Sequence, residues 1–266
     1  MKISESQIED YARHGAVMVK GLFADHLEAL AKGVAQNMEE PSQYAAENLT
    51  EGQQGRFFDD YCNWNRIAAF EEVIKTSQAA SAAAQLMQSN TVQLFHDHVL
   101  VKEPGTAKPT PWHQDAPYYF VEGAQTISFW APLDPVKEAT LRLVKGSHLW
   151  PKPVLPTRWL HEDKFYADEE AYIPVPDPDS EGMEVLEWEI EPGDAVAFNF
   201  KTLHGARGNL AQNRRRAFSL RLVGDDARYV ERPGPTSPPF PGHEMKEGQK
   251  LRSDWFPVIY DRATGA

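Results

Sequence analysis

From residue 90 onward the sequence divides into short apolar runs separated by Pro, Gly and Asp, and this pattern limits the fold more than any other feature. Apolar runs with such punctuation are typical of β-strands joined by turns. The predicted strands are residues 91–102, 110–116, 125–133, 140–144, 184–190, 194–200 and 215–223. Short strands in this number indicate a β-sandwich or a β-barrel.

The first 89 residues are predicted to form a helical layer. Ser4 and Gln7 have the spacing of a capping box at the start of a first helix. A short strand is predicted at 16–19, and a second, amphipathic helix at 25–38. A third helix is predicted from Ile67 to Met87, whereas the region 41–66 between these helices has no regular pattern.

The remaining segments are predicted to be parts of one domain spanning residues 1–266. Residues 90–224 would form its core, and the six prolines of 150–183 indicate an ordered insertion rather than a strand. Residues 225–266 are predicted to be an extended C-terminal arm packed on the domain. Its apolar side chains that need burial are Trp255, Phe256, Val258, Ile259 and Tyr260.

Charge and cysteine content narrow the class of protein. The formal net charge of −12 argues against a nucleic-acid binder, which needs a basic surface. The single cysteine, Cys62, excludes an intramolecular disulfide and fits a reducing compartment. The polar N-terminus lacks the apolar core of a signal peptide, and no stretch approaches 18 apolar residues. We therefore expect a cytoplasmic protein with a small-molecule substrate and no membrane partner; the oligomeric state stays open.

Three residues have the spacing of a metal site. In a strand, His113 and Asp115 would point to the same face, because successive side chains alternate. His204, on a neighbouring strand, would complete three donors on one face of an octahedron. Two histidines and one carboxylate form the facial triad of non-haem iron(II) oxygenases, which leaves positions open for ligands.

Arg215 begins the predicted strand 215–223, eleven residues after His204. One face of this strand is small and polar and would line a cavity; it carries Arg215, Ala217, Ser219, Arg221 and Val223. The opposite face is expected to pack on helices; it carries Arg216, Phe218, Leu220 and Leu222. In strand 125–133, Thr126, Ser128 and Trp130 likewise share a polar face. A guanidinium in such a cavity can grip a carboxylate through two parallel hydrogen bonds.

Four motifs together resemble the phytanoyl-CoA dioxygenase family. They are His113-Gln114-Asp115, Gly146-Ser147-His148, His204-Gly205 and Arg215-Arg216-Ala217. The resemblance is strong over residues 90–224 and loose in the helical N-terminus. It implies a mainly β, cupin-like fold with N-terminal helices, the double-stranded β-helix or jelly roll. It also implies iron(II), 2-oxoglutarate and dioxygen, with release of succinate and CO2 and hydroxylation of a substrate.

The resemblance assigns roles residue by residue. It implies that His113, Asp115 and His204 bind the metal and that Arg215 binds the far carboxylate of 2-oxoglutarate. Gln114 and Trp130 match positions that line the cosubstrate pocket. Ala206 departs from the pattern, because some relatives carry a serine there that helps to hold the cosubstrate. Related halogenases replace the metal-binding carboxylate with a small residue, so Asp115 favours hydroxylation over halogenation.

His96 and His98 are the main competitors for a metal role. Their spacing also occurs in cupin-type sites, which would make the chain a cupin-like isomerase or a metal-dependent hydrolase. The simpler interpretation is that one faces the substrate or supports the site and the other is solvated. A non-catalytic binding module on the same fold is a third possibility. Arg221 either binds an acidic group of the substrate or pairs with a nearby carboxylate.

Several other groups are interpreted as structural. The aromatic residues Phe57, Phe58, Tyr61 and Trp64 are predicted to pack under the helices, with a pocket wall as the alternative. His148 is interpreted as a turn residue, and Arg214 and Arg216 are predicted to be exposed. Five acids are predicted to be solvated surface groups: Asp59, Asp60, Asp168, Glu169 and Glu170.

Overall fold

The computed structural model describes residues 1–137, 139–160, 163–167 and 170–264. Its helices are α1 (Glu5–His14), α2 (Leu27–Glu39), α3 (Ala68–Thr76) and α4 (Ala79–Met87). Its first strands are β1 (Ala16–Val19), β2 (Ala46–Glu47), β3 (Phe57–Tyr61), β4 (Thr91–Lys102), β5 (Thr110–His113), β6 (Val121–Glu122) and β7 (Thr126–Pro132). The others are β8 (Leu141–Val144), β9 (Val185–Glu187), β10 (Ala195–Phe198), β11 (His204–Ala206), β12 (Arg215–Val223), β13 (Arg228–Tyr229) and β14 (Val258–Asp261).

Two antiparallel sheets pack face to face and confirm the predicted jelly roll. The larger sheet has the order β1-β10-β7-β12-β4-β3-β2, with β14 also paired to β4. The smaller sheet has the order β5-β11-β8-β9. Trp130 and Phe198 of the larger sheet and Leu141 and Leu143 of the smaller sheet belong to one buried cluster between them. Burial of these apolar side chains holds the two layers together.

The central strand β12 has the two faces that its sequence predicts. Phe218, Leu220 and Leu222 are buried in the cluster that lies under the helices. The Phe218 ring packs 4.8 Å from the ring of Phe70 on α3. Arg215 points to the other side, where it lines a cavity between the sheets.

The helical layer differs from prediction at one place. The capping box of Ser4 and Gln7 is present and starts α1, which confirms that prediction. The prediction of one continuous helix over 67–87 is wrong, because the helix is interrupted between α3 and α4. Ser77 has extended backbone angles there, and its hydroxyl accepts a hydrogen bond from the amide of Ala79. A serine that bonds the local backbone competes with a continuous helix.

The region 41–66 is more regular than predicted, because it contains β2 and β3. The β3 residues Phe57, Phe58, Asp59 and Asp60 are all buried. With both faces covered, the strand lacks the alternation of polar and apolar residues that reveals a half-exposed strand.

The C-terminal arm packs on the domain, as predicted. Strand β14 pairs with the start of β4, and Phe256 is fully buried. Val258 is the exception, since it lies on this edge strand and is 47% exposed. In the described ranges, no helix is both long enough and apolar enough to cross a lipid bilayer.

Helix α2 packs closely against α3 at Gly33, and a substitution there tests this packing. A methyl group at Gly33 would lie 2.4 Å from the ring of Phe70. Glycine to alanine in a helix normally stabilises by about 1 kcal/mol, but overpacking a core costs about 1–3 kcal/mol. We expect Gly33→Ala to lower the free energy of unfolding, measured by urea denaturation. The double variant Gly33→Ala/Phe70→Leu should recover part of the loss; a stabilising Gly33→Ala would contradict this packing.

Candidate metal centre and its cavities

His113 and His204 face each other across two paired strands. His113 ends β5, His204 begins β11, and the two are direct partners in the ladder. Their ring centroids are 4.1 Å apart. With Asp115 they offer three ligand atoms that all lie within 4.8 Å of one another. The structure therefore brings together the three residues that the sequence singles out.

Asp115 reaches the site by a route that the sequence reasoning did not foresee. Strand β5 ends at His113, so alternation along a strand does not place Asp115. Its backbone is helical, with φ −67° and ψ −42°, and it starts the 3-10 turn Ala116–Tyr118. This turn brings its Oδ1 atom to 3.8 Å from Nε2 of His113 and 3.9 Å from Nε2 of His204.

Both imidazoles are fixed with Nε2 toward the shared carboxylate. Nδ1 of His113 donates to the carbonyl of Pro111 at 2.8 Å, and Nδ1 of His204 donates to Thr202 at 2.9 Å. These bonds leave a lone pair on each Nε2, as a metal ligand requires. Burial and the neighbouring His204 lower the pKa of His113 to about 3, so the ring is neutral at physiological pH.

Asp115 stays ionised although it is buried. Burial alone pushes its pKa upward, but Arg221 and the two imidazoles outweigh this effect and hold the pKa below its usual range. Ser128 donates to its Oδ2 at 3.1 Å, and Nη2 of Arg221 lies 3.6 Å from the same atom. Oδ1 faces the histidines. Two neutral imidazoles and one carboxylate fit a divalent iron ion.

Arg215 lies in a narrow cavity that also touches both histidines. Its Nη1 donates to the carbonyl of Ala139 at 2.8 Å, while its Nε is buried with no partner in the described part of the chain. Its guanidinium carbon lies 5.7 Å from the ring centre of Trp130. Burial lowers its pKa to about 10, so it remains charged at neutral pH. A buried cation with an unused N–H fits an anionic ligand.

The other two residues that were predicted to line the cosubstrate pocket, Trp130 and Gln114, lie in different environments. Trp130 lines the Arg215 cavity, as its predicted role requires. Gln114 instead bridges two backbone groups, since it donates to Lys201 and accepts from Val154. Thr110 lies directly opposite Ala206 in the β5–β11 ladder and lines the same cavity as Arg215. A hydroxyl-bearing residue thus lies opposite Ala206, the position at which the family resemblance led us to expect a serine.

A larger cavity of about 420 Å³ opens beside the metal centre. Its wall includes residues from 41–66, 150–183 and the C-terminal arm, the segments that the sequence led us to expect at the pocket without naming individual residues: Tyr44, Asn48, Trp159, Phe165, Ser237 and Pro238. Of the 57–64 aromatic cluster, Phe58 is buried under the helices, as predicted, whereas Phe57 is buried in the cluster between the two sheets. Trp64 packs against that core, whereas Tyr61 follows the alternative and lines the cavity.

His96 and His98 line this cavity and are not part of the group of three. His96 bonds the carbonyl of Asp97 through Nδ1, and burial keeps its pKa well below the usual value. His98 bonds the carboxylate of Asp59. Both sit beside the metal centre and face the space where a substrate would lie. His148 lies in a short 3-10 turn and contacts the carbonyl of Ala12.

The surface prediction is wrong for Asp59 and Asp60, which are both buried. Asp59 is held by Asn48 and His98, and Asp60 by Asn37 and Ser42. These partners come from distant parts of the sequence. Glu170 is exposed, as predicted, while Asp168 and Glu169 lie outside the described residues.

Of the two arginines that were predicted to be exposed, one is exposed and one is not. Arg214 is exposed and pairs with Glu103. Arg216 is half-buried rather than exposed, since it forms a two-pronged ion pair with Asp134.

Comparison with known proteins agrees with the resemblance that the sequence motifs carry. A sequence model of the family described as phytanoyl-CoA dioxygenase matches residues 11–217. A probable phytanoyl-CoA dioxygenase of Caenorhabditis elegans is 30% identical over 156 residues, which is 55% of this chain and 48% of that protein. The chain spans about half the length of the curated relatives that it matches.

Solved structures share the fold. The epimerase SnoN, in complex with Fe3+, alpha ketoglutarate and nogalamycin RO, is 21% identical with a TM-score of 0.77, over 96% of this chain and 98% of that one. EctD from S. alaskensis, with 2-oxoglutarate and 5-hydroxyectoine, is 19% identical with a TM-score of 0.69, over 94% and 86%.

The three-donor site predicts a sharp division among the histidines. We expect His113→Ala, Asp115→Ala and His204→Ala each to abolish tight iron(II) binding, because a facial triad has no spare protein ligand. Equilibrium dialysis with iron(II) under anaerobic conditions measures this directly.

The matched control is His96→Ala, a histidine in the same cavity outside the triad. It should bind iron nearly as well as the parent. Loss of iron in His96→Ala, or retention in two of the three triad variants, would mean that the ion binds elsewhere.

Proposed function

We propose that this chain, which belongs to the phytanoyl-CoA dioxygenase family, is an iron(II)- and 2-oxoglutarate-dependent dioxygenase. Its substrate would be a small or medium organic molecule that it hydroxylates. One observation carries the proposal: three buried ligand atoms converge beside a buried arginine with an unused N–H, in adjoining cavities. Iron would be held by His113, Asp115 and His204, and 2-oxoglutarate by Arg215.

The residues divide the work of the reaction. Bound iron(II), with 2-oxoglutarate and dioxygen, supplies the chemistry that converts a C–H bond to C–OH and releases succinate and CO2. Arg215 orients 2-oxoglutarate by gripping its far carboxylate, with the hydroxyl of Thr110 nearby. Ser128 and Arg221 hold Asp115 in its ligating position and keep it ionised. Trp159 packs edge-on to His113 at 5.0 Å and shields that side of the centre from water.

Hydroxylation is the outcome that the ligand set favours. Asp115 supplies the carboxylate that a halogenase would lack. The coordination position that chloride takes in a halogenase would therefore be occupied by Asp115. The rival cupin-like chemistry needs His96 and His98 as ligands, but among the described residues the group of three converging ligand atoms includes neither of them. A non-catalytic binding module has no use for a buried, unpaired Arg215 beside three ligand atoms.

Succinate release tests the proposed function. We expect the protein, supplied with iron(II), 2-oxoglutarate and oxygen, to form succinate faster when a correct substrate is added. A screen of small molecules read by succinate and by product mass measures this, with Asp115→Ala as the inactive control. Failure of both the background and the stimulated turnover, or a chlorinated product from the unmodified protein, would overturn the proposal.

Arg215 should determine the affinity for 2-oxoglutarate. Removing one partner of a buried, charged hydrogen-bonded pair typically costs about 2–5 kcal/mol, which is about 30-fold to several thousand-fold in affinity. We expect a loss in this range for Arg215→Ala and partial recovery in Arg215→Lys, which lacks the planar fork. Titrating 2-oxoglutarate into the iron-loaded protein, followed by its charge-transfer absorbance, gives the affinities.

Arg214→Ala is the matched control, because Arg214 is adjacent, exposed and directed at Glu103. It should keep the parent affinity, and all variants should still bind iron. Thr110→Val should lose less affinity than Arg215→Ala. An unchanged affinity in Arg215→Ala would mean that the cosubstrate, or its carboxylate site, is wrongly identified.

A further inference from the structure

The wall of the larger cavity contains a buried pair of polar residues that the metal centre does not use. Nε2 of His98 lies 2.9 Å from Oδ2 of Asp59. The other carboxylate oxygen of Asp59 accepts a hydrogen bond from the side chain of Asn48 at 2.5 Å. All three residues line the cavity, and each is less than a tenth exposed. Strands β3 and β4 carry the pair, with Asp59 and His98 on neighbouring strands.

The hydrogen bond to Asp59 determines what His98 offers to a ligand. A carboxylate only accepts, so Nε2 of His98 donates; in the tautomer that this bond selects, Nδ1 carries a lone pair. Nδ1 has no hydrogen-bond partner among the described residues. It is also not one of the atoms that are fully enclosed by the protein without a partner. It therefore remains open to the cavity as an acceptor. Asp59 strengthens this acceptor, because its carboxylate accepts the hydrogen bond from Nε2 and so draws positive charge onto the ring when a proton is shared at Nδ1.

Aromatic rings surround this acceptor and leave a slot for a flat molecule. The Tyr61 ring meets the His98 ring edge-on at 5.6 Å and stacks on Tyr44 at 5.1 Å. Trp159 lies roughly parallel to His98 at 6.3 Å and also contacts His113 at 5.0 Å. A single ring-sized molecule against Trp159 thus reaches from the polar pair to the metal centre.

The charges of the cavity argue against a substrate that carries several negative charges. Asp59 contributes a negative charge to the wall. Among the lining arginines in the described ranges, Arg158 bonds Asp163 and the carbonyl of Lys164, and Arg221 bonds Tyr119 and lies beside Asp115. Nη1 of Arg221 is buried without a hydrogen-bond partner in these ranges. A coenzyme A thioester carries several phosphates, which need more cations than this wall offers.

We propose that Asp59 and His98 form the anchoring site for a hydroxyl group on an uncharged, ring-bearing substrate. The hydroxyl donates to Nδ1 of His98, and the ring packs on Tyr61 and Trp159 with a C–H bond directed at the metal centre. This assignment rests on the proposed oxygenase function for its meaning as a substrate site. The binding preference itself does not depend on turnover.

Three probes that share one ring system separate the possibilities: 2-naphthalenemethanol, its methyl ether and 2-naphthoate. The ether keeps the shape and loses the donor, and naphthoate adds a negative charge. Calorimetric titration into protein loaded with iron(II) and 2-oxoglutarate, without oxygen, measures the affinities. We expect the alcohol to bind about tenfold more tightly than the ether, as one hydrogen bond to a charge-supported acceptor provides, and naphthoate to bind least.

Variants show whether this preference comes from the pair. His98→Phe keeps an aromatic ring, and Asp59→Asn keeps the size of the carboxylate; both should remove most of the difference between alcohol and ether. Asp60→Asn is the matched control, since Asp60 is the adjacent buried acid on the opposite face of β3. It should keep the difference even if its melting temperature falls. Thermal melting of each variant establishes that it is folded.

Three results would overturn the anchoring site. They are equal binding of alcohol and ether in the parent, tightest binding of naphthoate, and a preference for the alcohol that survives in His98→Phe. Failure of every probe to bind at millimolar concentration also counts against it. The same titrations on metal-free protein test the binding preference without turnover, so the anchoring site can be judged separately from the oxygenase function. A preference that persists without succinate formation in any assay defeats the oxygenase function alone, whereas turnover without the preference defeats the anchoring site alone.

Discussion

Charge buried between the two sheets is the constraint on which the site depends. Ionised groups are costly to bury unless they are paired. Arg221 and Asp115 offset each other, and the Lys102 amine donates to two backbone carbonyls with its pKa lowered by burial to about 5. Arg215 has no acidic partner in the described ranges and stays charged. The cavity at Arg215 therefore carries a positive charge that an anionic cosubstrate would balance.

The sequence predicts those parts of the fold in which local pattern and tertiary burial agree. Strands β4 and β12 begin and end where the alternation of side chains predicts. Along β12 the same alternation separates the helix-facing Phe218 from the cavity-facing Arg215. The three ligands were identifiable because their types and spacing are rare in combination, even though Asp115 reaches the site through a turn rather than along a strand.

The missed features depend on partners that no local window contains. Asp59 looks like a surface acid until Asn48 and His98 are placed beside it. Trp159 lies in a proline-rich insertion with no periodic pattern, and only the folded chain shows that it contacts His113. The residues that form the metal centre are thus easier to read from sequence than those that surround the substrate.

The C-terminal arm contributes to the wall of the larger cavity as well as to the stability of the domain. Ser237 and Pro238 form part of the larger cavity, and the hydroxyl of Ser237 lies 3.2 Å from that of Tyr61. The arm contributes none of the three candidate metal ligands. A substitution at Ser237 or Pro238 can therefore change the shape of the larger cavity while the candidate metal centre keeps its three donors.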